Sequence, residues 1–181
     1  MPAHRPSPVR LRIERRVCAT PPPPIRELRL LAERMAARAA RRNPRRLWAE
    51  MDILLLGDTA MAEANRQFLG HTGTTDVITL VYRPMSSEDG WRGEVLINLD
   101  LARRLGSRHG GAGRELALYL AHGMNHLSGA DDRTPAERQR MRQRDLRWRA
   151  AAFAAGGLHG LERWGASPSP RRPARSRTAQ C

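Results

Sequence analysis

The stretch that does most to determine this fold runs from Arg114 to Asp132 and reads RELALYLAHGMNHLSGADD. Its first part is apolar on nearly every side, which predicts a buried helix over residues 113–127. His122 and His126 are four residues apart, so a helix places both imidazoles on one face. Two imidazoles at this spacing are able to reach the same metal ion. The sequence therefore predicts a metal site on a buried helix.

A glycine and two carboxylates follow the histidines. Gly129 is expected to end the helix and turn the chain back, which brings Asp131 or Asp132 toward the histidine pair. Three protein ligands leave one coordination position open, as is typical of catalytic metal sites. The zinc peptidase pattern H-E-x-x-H needs a glutamate where this chain has Gly123. A peptidase of that class is therefore disfavoured, and the general base of any hydrolysis stays unassigned.

The periodicity of apolar residues predicts an α+β fold, a four-stranded mixed sheet packed with about five helices. Strands are predicted over residues 9–13, 48–56, 76–82 and 93–98, the last two as a hairpin. Helices are predicted over residues 25–42, 58–69, 100–108, 113–127 and 135–155. Asp58 is expected to cap the second of these helices, and Thr134 the last.

The ends of the chain differ from the middle in composition. Residues 1–7 are polar and contain proline, and residues 156–181 begin at a glycine pair and are rich in proline, serine and arginine. We predict that both segments are disordered and that residues 8–155 form one metal-dependent domain. The tail arginines, Arg171, Arg172, Arg175 and Arg177, would add salt-sensitive affinity for a polyanion.

The net charge of the chain indicates the class of molecule that it binds. The chain has 181 residues and a net charge of +14, and every one of its 32 basic residues is arginine. Arginine binds phosphate oxygens bidentately, so RNA or a ribonucleoprotein is the expected partner. No apolar run is long enough for a membrane span and no signal segment is recognisable, so we expect a cytoplasmic protein.

Three blocks of sequence have the order and spacing of one known family. The pattern H-G-x-L-H-L-x-G-Y-D-H is matched by His122, Gly123, His126, Leu127, Gly129 and Asp131, and residues 93–97 (GEVLI) resemble G-D-I-x-I. Residues 65–68 (NRQF) and 75–80 (TDVITL) resemble L-N-x-x-Y-R-x-x-x-x-P-T-D-V-L-S-F. Over residues 8–155 the chain therefore resembles the YbeY family of bacterial single-strand endoribonucleases and ribosomal RNA maturation factors.

The resemblance implies a zinc-dependent endoribonuclease that acts in ribosomal RNA maturation and ribosome quality control, with ribosomal RNA or ribosomal subunits as partners and no small-molecule cofactor. The family signature has three zinc-binding histidines, and the third of them falls at Asp132. A carboxylate is an acceptable zinc ligand. The resemblance thus predicts Zn²⁺ held by His122, His126 and Asp132, with Asp131 as a turn residue.

Other departures from the family pattern bear on activity. An arginine that the family presents to RNA falls at Leu69, and Arg66, one turn earlier, is either a substitute or a solvated helix residue. Asn125 replaces an apolar residue and places an amide near the ligands. For Asp76 the resemblance suggests a role facing the substrate, against the simpler interpretation of a turn residue.

Two alternative functions stay open at this point. The first is a ribosome-associated assembly factor whose metal only stabilises its fold, which the changes at positions 69 and 132 favour. The second is a metal hydrolase of another substrate class, which the excess of arginine disfavours.

Overall fold

A computed structural model describes residues 9–16, 21–86 and 89–165. The strands are β1 (Arg10–Arg15), β2 (Trp48–Leu56), β3 (Val77–Tyr82) and β4 (Trp91–Asn98). The helices are α1 (Ile25–Arg42), α2 (Asp58–Leu69), α3 (Leu99–Gly106), α4 (Ala112–Leu127), α5 (Pro135–Ala154) and α6 (His159–Arg163). The disorder predicted for residues 1–7 and the tail arginines after residue 165 lie outside the described residues.

The strands form one mixed sheet in the order β1-β2-β4-β3. β1 and β2 are parallel, as are β2 and β4, while β3 and β4 form the predicted antiparallel hairpin. Each parallel pair needs a crossover, which α1 supplies between β1 and β2. This arrangement confirms the predicted α+β fold with a four-stranded mixed sheet.

Helix α4 lies in the centre of the molecule. It packs against α1, α3, α5 and α6 and against strands β3 and β4. Its apolar side chains join the main core with those of α1 and one face of the sheet. Helix α2 covers part of the opposite face in a smaller core. A helix surrounded in this way must be apolar all round, which is the pattern that its sequence shows.

A close approach between α4 and the sheet depends on Gly123. A Cβ atom built on Gly123 would lie 2.5 Å from Cγ1 of Val95 and 3.3 Å from Oγ1 of Thr79. Any larger residue would therefore push the helix away from β3 and β4. Gly123 faces the sheet, and its small size serves packing there.

The second predicted cap is confirmed, and the first is wrong. Thr134 and Glu137 form a reciprocal capping box at the start of α5. Gly57 is the N-cap of α2, and Asp58 is its first helical residue. The Asp58 carboxylate instead accepts a hydrogen bond from Nδ2 of Asn98 at 2.9 Å and pairs with Arg104. Tertiary contacts with β4 and α3 thus engage this side chain in place of the helix terminus.

The structure differs from the predicted tail at residues 156–165. These residues include α6, and Leu158, Leu161 and Trp164 are buried in the main core. The backbone N–H groups of Gly160 and Leu161 donate to the Glu27 carboxylate on α1, at 3.1 and 2.7 Å. The apolar side chains at helical spacing therefore indicate the structure of this segment better than the glycine pair before it does. None of the described helices has the length and apolar character needed to cross a membrane.

Candidate metal centre

The two histidines of α4 and one aspartate of the following loop converge on one point. Nε2 of His122 lies 3.2 Å from Nε2 of His126. Oδ2 of Asp132 lies 3.7 Å from the first of these nitrogens and 3.9 Å from the second. The three donor atoms lie within 4.8 Å of one another, a spacing that suits a shared metal ion. The geometry thus brings together all three residues that the sequence singled out.

The loop after α4 decides which aspartate reaches the histidines. Gly129 adopts a left-handed conformation with φ of +89°, and its N–H donates to the carbonyl of His126 at 2.8 Å. Asp131 points outward, where its carboxylate pairs with Nε of Arg133 at 3.0 Å and accepts from the Asp132 N–H. Of the two carboxylates that the sequence left open, only Asp132 faces the histidine pair.

Hydrogen bonds at the far nitrogens orient both imidazoles. Nδ1 of His122 lies 2.9 Å from Oδ2 of Asp145, and Nδ1 of His126 lies 3.2 Å from the backbone carbonyl of Ala130. A carbonyl and a carboxylate only accept, so each Nδ1 carries the hydrogen and each Nε2 presents its lone pair. This is the tautomer that a metal ion requires from a histidine ligand.

Asp145 is a functional candidate that the sequence analysis missed. It lies on the buried face of α5 with Met141 and Ala152, and only 3% of it is exposed. Its other oxygen accepts a hydrogen bond from the Asn125 amide, which explains the polar residue at position 125. One sequence signal was available, because Asp145 is the sole acidic residue between Arg138 and Leu161.

The two histidines differ in proton affinity. Burial acts to lower the pKa of His122, but the hydrogen bond and charge of Asp145, with contributions from Asp76 and Asp132, raise that pKa overall. Burial and the neighbouring His122 lower the pKa of His126. A proton and a bound cation compete for the lone pair of each Nε2, so metal affinity is coupled to pH at this pair.

The donor set fits a zinc ion. Two neutral imidazole nitrogens and one carboxylate oxygen form a three-ligand set of the kind that holds catalytic zinc. The side chains of His122 and His126 are 28% and 27% exposed, and that of Asp132 is 36% exposed. The site is therefore open to solvent on one side, where a substrate oxygen has access.

Two cavities meet at this cluster, and Asp76, His122 and Asp132 line both of them. The first cavity, of about 480 Å³, lies between α4 and α5. The second, of about 620 Å³, lies over β3. Oδ1 of Asp76 accepts from the Thr75 hydroxyl at 3.0 Å and the Val77 N–H at 2.9 Å. Asp76 is thus a turn residue that also borders both cavities.

The second cavity is also lined by the residue at which the family resemblance places an arginine. Leu69 lines its wall, 47% exposed, and supplies no charge there. Arg66 pairs with Glu63 at 2.6 Å and borders a different depression near residues 72–74. Arg66 therefore lies outside both cavities of the metal centre, as expected of a solvated helix residue.

The first cavity holds a pair of titratable groups that the sequence analysis also missed. Oε2 of Glu115, a residue only 3% exposed, lies 2.8 Å from Nδ1 of His109. Glu115, Tyr119 and His122 follow one another along a single face of α4. His109 is placed over this face by α3 and the turn that follows it. No sequence motif therefore indicates the pairing of His109 with Glu115.

Comparison with known proteins agrees with this architecture. A family model described as Endoribonuclease YbeY matches residues 23–150. The Endoribonuclease YbeY of Anaeromyxobacter sp. (strain Fw109-5) is 40% identical over 101 residues, which cover 54% of this chain and 51% of that protein. The relative of the same name in Frankia alni is 31% identical over 148 residues, covering 72% of this chain and 80% of that protein.

The match thus spans about half the length of the Anaeromyxobacter relative and most of the Frankia one. The solution structure of TM1509 from Thermotoga maritima has a similar fold, with a TM-score of 0.58 at 18% identity over 90% of this chain and 99% of that one. On the family model and the Frankia alni alignment together, this chain belongs to the YbeY family.

Proposed function

We propose that this protein is a zinc-dependent endoribonuclease specific for single-stranded RNA, acting in ribosomal RNA maturation and ribosome quality control in the cytoplasm. The observation that carries the proposal is the convergence of His122, His126 and Asp132 in a solvent-accessible cleft. Family membership supports the reaction class. The net charge of +14 supports ribosomal RNA or ribosomal subunits as the partner.

In this proposal the three side chains hold the ion and leave one position open to the cleft. A zinc ion supplies Lewis-acid polarisation of a phosphodiester oxygen and activation of water. Asp145 and the Ala130 carbonyl orient the two imidazoles. Asp132 adds a negative charge where the family has a neutral histidine, so the ligand set itself is more anionic than the family pattern.

The direct test measures zinc content and cleavage of a single-stranded oligoribonucleotide. The proteins are the wild type, His126→Ala, Asp132→Ala and Asp131→Ala, the last a matched control whose carboxylate faces away from the histidines. We expect stoichiometric zinc and cleavage in the wild type and the control, and loss of both in the other two variants. Stoichiometric zinc in both ligand variants would contradict the assignment.

A second candidate function has one observation in its favour. Leu69 leaves the β3 cavity without the arginine of the family pattern, which favours an assembly factor with a structural metal. In that case the wild type binds zinc and ribosomal subunits but cleaves no RNA above a nuclease-free control. Zinc-dependent cleavage by the wild type excludes this candidate.

A further inference from the structure

We propose that Arg142 and Arg149 of α5 form a binding subsite for the backbone phosphates of single-stranded RNA, on the opposite side of the metal centre from Leu69. This inference rests on the proposed function, since it concerns how the RNA substrate is held. Both arginines line the cavity between α4 and α5 that also contains His122 and Asp132. An RNA strand bound at the metal centre can therefore continue along this cavity.

The spacing of the arginines places a row of cations along one wall. Arg138, Arg142 and Arg149 lie one and then about two helical turns apart, so they share a face of α5 that extends over about 16 Å. The first of them donates to the backbone carbonyls of Asp132 and Arg133, at 3.1 and 2.8 Å. The row thus begins at the loop that carries the third ligand and leads away from it.

Arg142 and Arg149, the other two arginines of this row, differ from Arg138 in their contacts. Among the residues that the structure describes, neither Arg142 nor Arg149 has a hydrogen bond or a carboxylate within ion-pair distance. By contrast, the carboxylates of the same cavity are engaged. Asp145 is hydrogen-bonded to His122 and Asn125, and Glu115 to His109.

The surroundings of Arg149 in particular favour the binding of an external anion. It is half-buried, and burial together with the nearby charges of Arg114 and Arg142 lowers its pKa, although the Glu115 carboxylate acts in the opposite direction. Gathering like charges beside a cavity costs electrostatic energy, which a phosphate would offset. A guanidinium also matches phosphate oxygens with two parallel hydrogen bonds, so phosphodiesters are the ligand class that best fits.

The β3 cavity offers less to a phosphate. Its cations are Arg46 and Arg133, and both are engaged within the protein. Arg46 donates to the Leu127 carbonyl at 2.6 Å and lies over the Trp91 ring, while Arg133 pairs with Asp131. Within the part of the chain that the structure describes, the arginines of the cleft without a protein partner therefore lie on the α5 side, and they supply there the charge that Leu69 does not.

The test measures how RNA affinity depends on salt. Each phosphate contact contributes about −0.7 to the slope of log K against log salt for a single strand. In an Asp132→Asn background, which removes cleavage under the proposed mechanism, we would compare Arg142→Gln, Arg149→Gln and their combination by fluorescence anisotropy with a single-stranded oligoribonucleotide. Arg147→Gln is the matched control, because Arg147 is exposed on the same helix outside both cavities.

We expect the slope to become shallower by about 0.7 in each single variant and about 1.4 in the double variant, with no such change in the control. Arg142→Lys keeps the charge and should retain the slope, which separates phosphate binding from damage to the fold. In the Asp132-containing protein the double variant should raise KM for cleavage and leave kcat unchanged. Equal slopes for the double variant and the Arg147→Gln control would overturn the subsite.

The two proposals fail in different ways. Slope losses confined to Arg142 and Arg149, together with no cleavage by the wild type, would support the subsite and contradict the endoribonuclease. Zinc-dependent cleavage, together with a salt slope that does not change when both arginines are replaced, would support the endoribonuclease and overturn the subsite.

Discussion

At the scale of single residues, the metal centre depends on side chains whose roles are set by what they touch. Asp145 holds His122 through one oxygen and the Asn125 amide through the other. Gly123 has no side chain to make contacts, and this absence allows α4 to lie directly against β3 and β4. Both residues affect the metal centre, although neither is one of its three predicted ligands.

Replacing Asp145 with asparagine should weaken metal binding without removing a ligand. An amide has one acceptor oxygen, whereas His122 and Asn125 each donate to the carboxylate, so one of the two hydrogen bonds is lost. We expect zinc affinity to fall about 10- to 100-fold, as for other partners that orient metal-bound histidines. Competition with a chromophoric chelator measures this. Asp131→Asn serves as the control, and an equal loss in that variant would contradict the orienting role.

Replacing Gly123 with alanine should destabilise the fold through one identifiable contact. The new Cβ would meet Cγ1 of Val95 at 2.5 Å, and overpacking of this kind costs about 1–3 kcal/mol, part of which the better helix propensity of alanine offsets. Urea denaturation of Gly123→Ala, Val95→Ala and the double variant gives the coupling. We expect the double variant to be more stable than the sum of the single changes predicts. Strict additivity would show that the helix avoids the contact.

At the scale of elements, α5 connects the metal-site loop to the cation row, and its first turn is fixed by the capping box. Oγ1 of Thr134 accepts from the Glu137 N–H at 3.2 Å, and the Glu137 carboxylate accepts from the Thr134 N–H at 2.8 Å. Arg138, in the first turn of this helix, donates to the Asp132 carbonyl at 3.1 Å. Helix capping therefore contributes to the position of the third ligand.

Thr134→Ala should lower the free energy of unfolding by about 1 kcal/mol, because it leaves the Glu137 N–H without its acceptor. Urea denaturation measures the change. Thr59→Ala is a suitable control, since Thr59 is exposed in the first turn of α2, where Gly57 is the N-cap. A loss for Thr59→Ala as large as that for Thr134→Ala would mean that the cap contributes nothing specific.

At the scale of the whole molecule, α6 closes the core beneath α4 and α1. Its buried side chains and the Glu27 hydrogen bonds tie the end of the domain to its first helix. The indole N–H of Trp164 donates to the Pro21 carbonyl at 2.9 Å, a contact over more than 140 positions. The domain thus includes residues that composition alone assigns to a tail.

A chain that ends after Gly157 should therefore be much less stable than one that ends after Gly165. The shorter chain loses Leu158, Leu161 and Trp164, and truncation of just one buried leucine to alanine already costs about 2–5 kcal/mol. Thermal and urea denaturation of the two truncations isolate the contribution of α6. Equal stability would show that α6 does not stabilise the core. For RNA binding, truncation after Gly165 is the variant that removes the tail arginines and keeps α6.

Much of the architecture could be predicted from local pattern. The bounds of α1 and β2 were predicted to the residue, and those of α4 within one residue, because long periodic segments with clear glycine and proline boundaries carry their own signal. The Asp58 cap failed because Asn98 and Arg104 compete for its carboxylate. α6 was missed because its apolar period spans only a few residues and follows two glycines.

The sequence by itself determined the mixed α+β fold, the buried helix and the pair of histidines on one of its faces, since these depend on spacing along the chain. Spacing along the chain does not distinguish Asp131 from Asp132, and only the tertiary structure shows that Asp132 faces the histidines, because a left-handed turn at Gly129 sets the directions of both carboxylates. It also placed Asp145 behind His122, and Arg142 and Arg149 beside the cleft. These groups come from another helix, and packing between helices is a long-range property that no local pattern encodes.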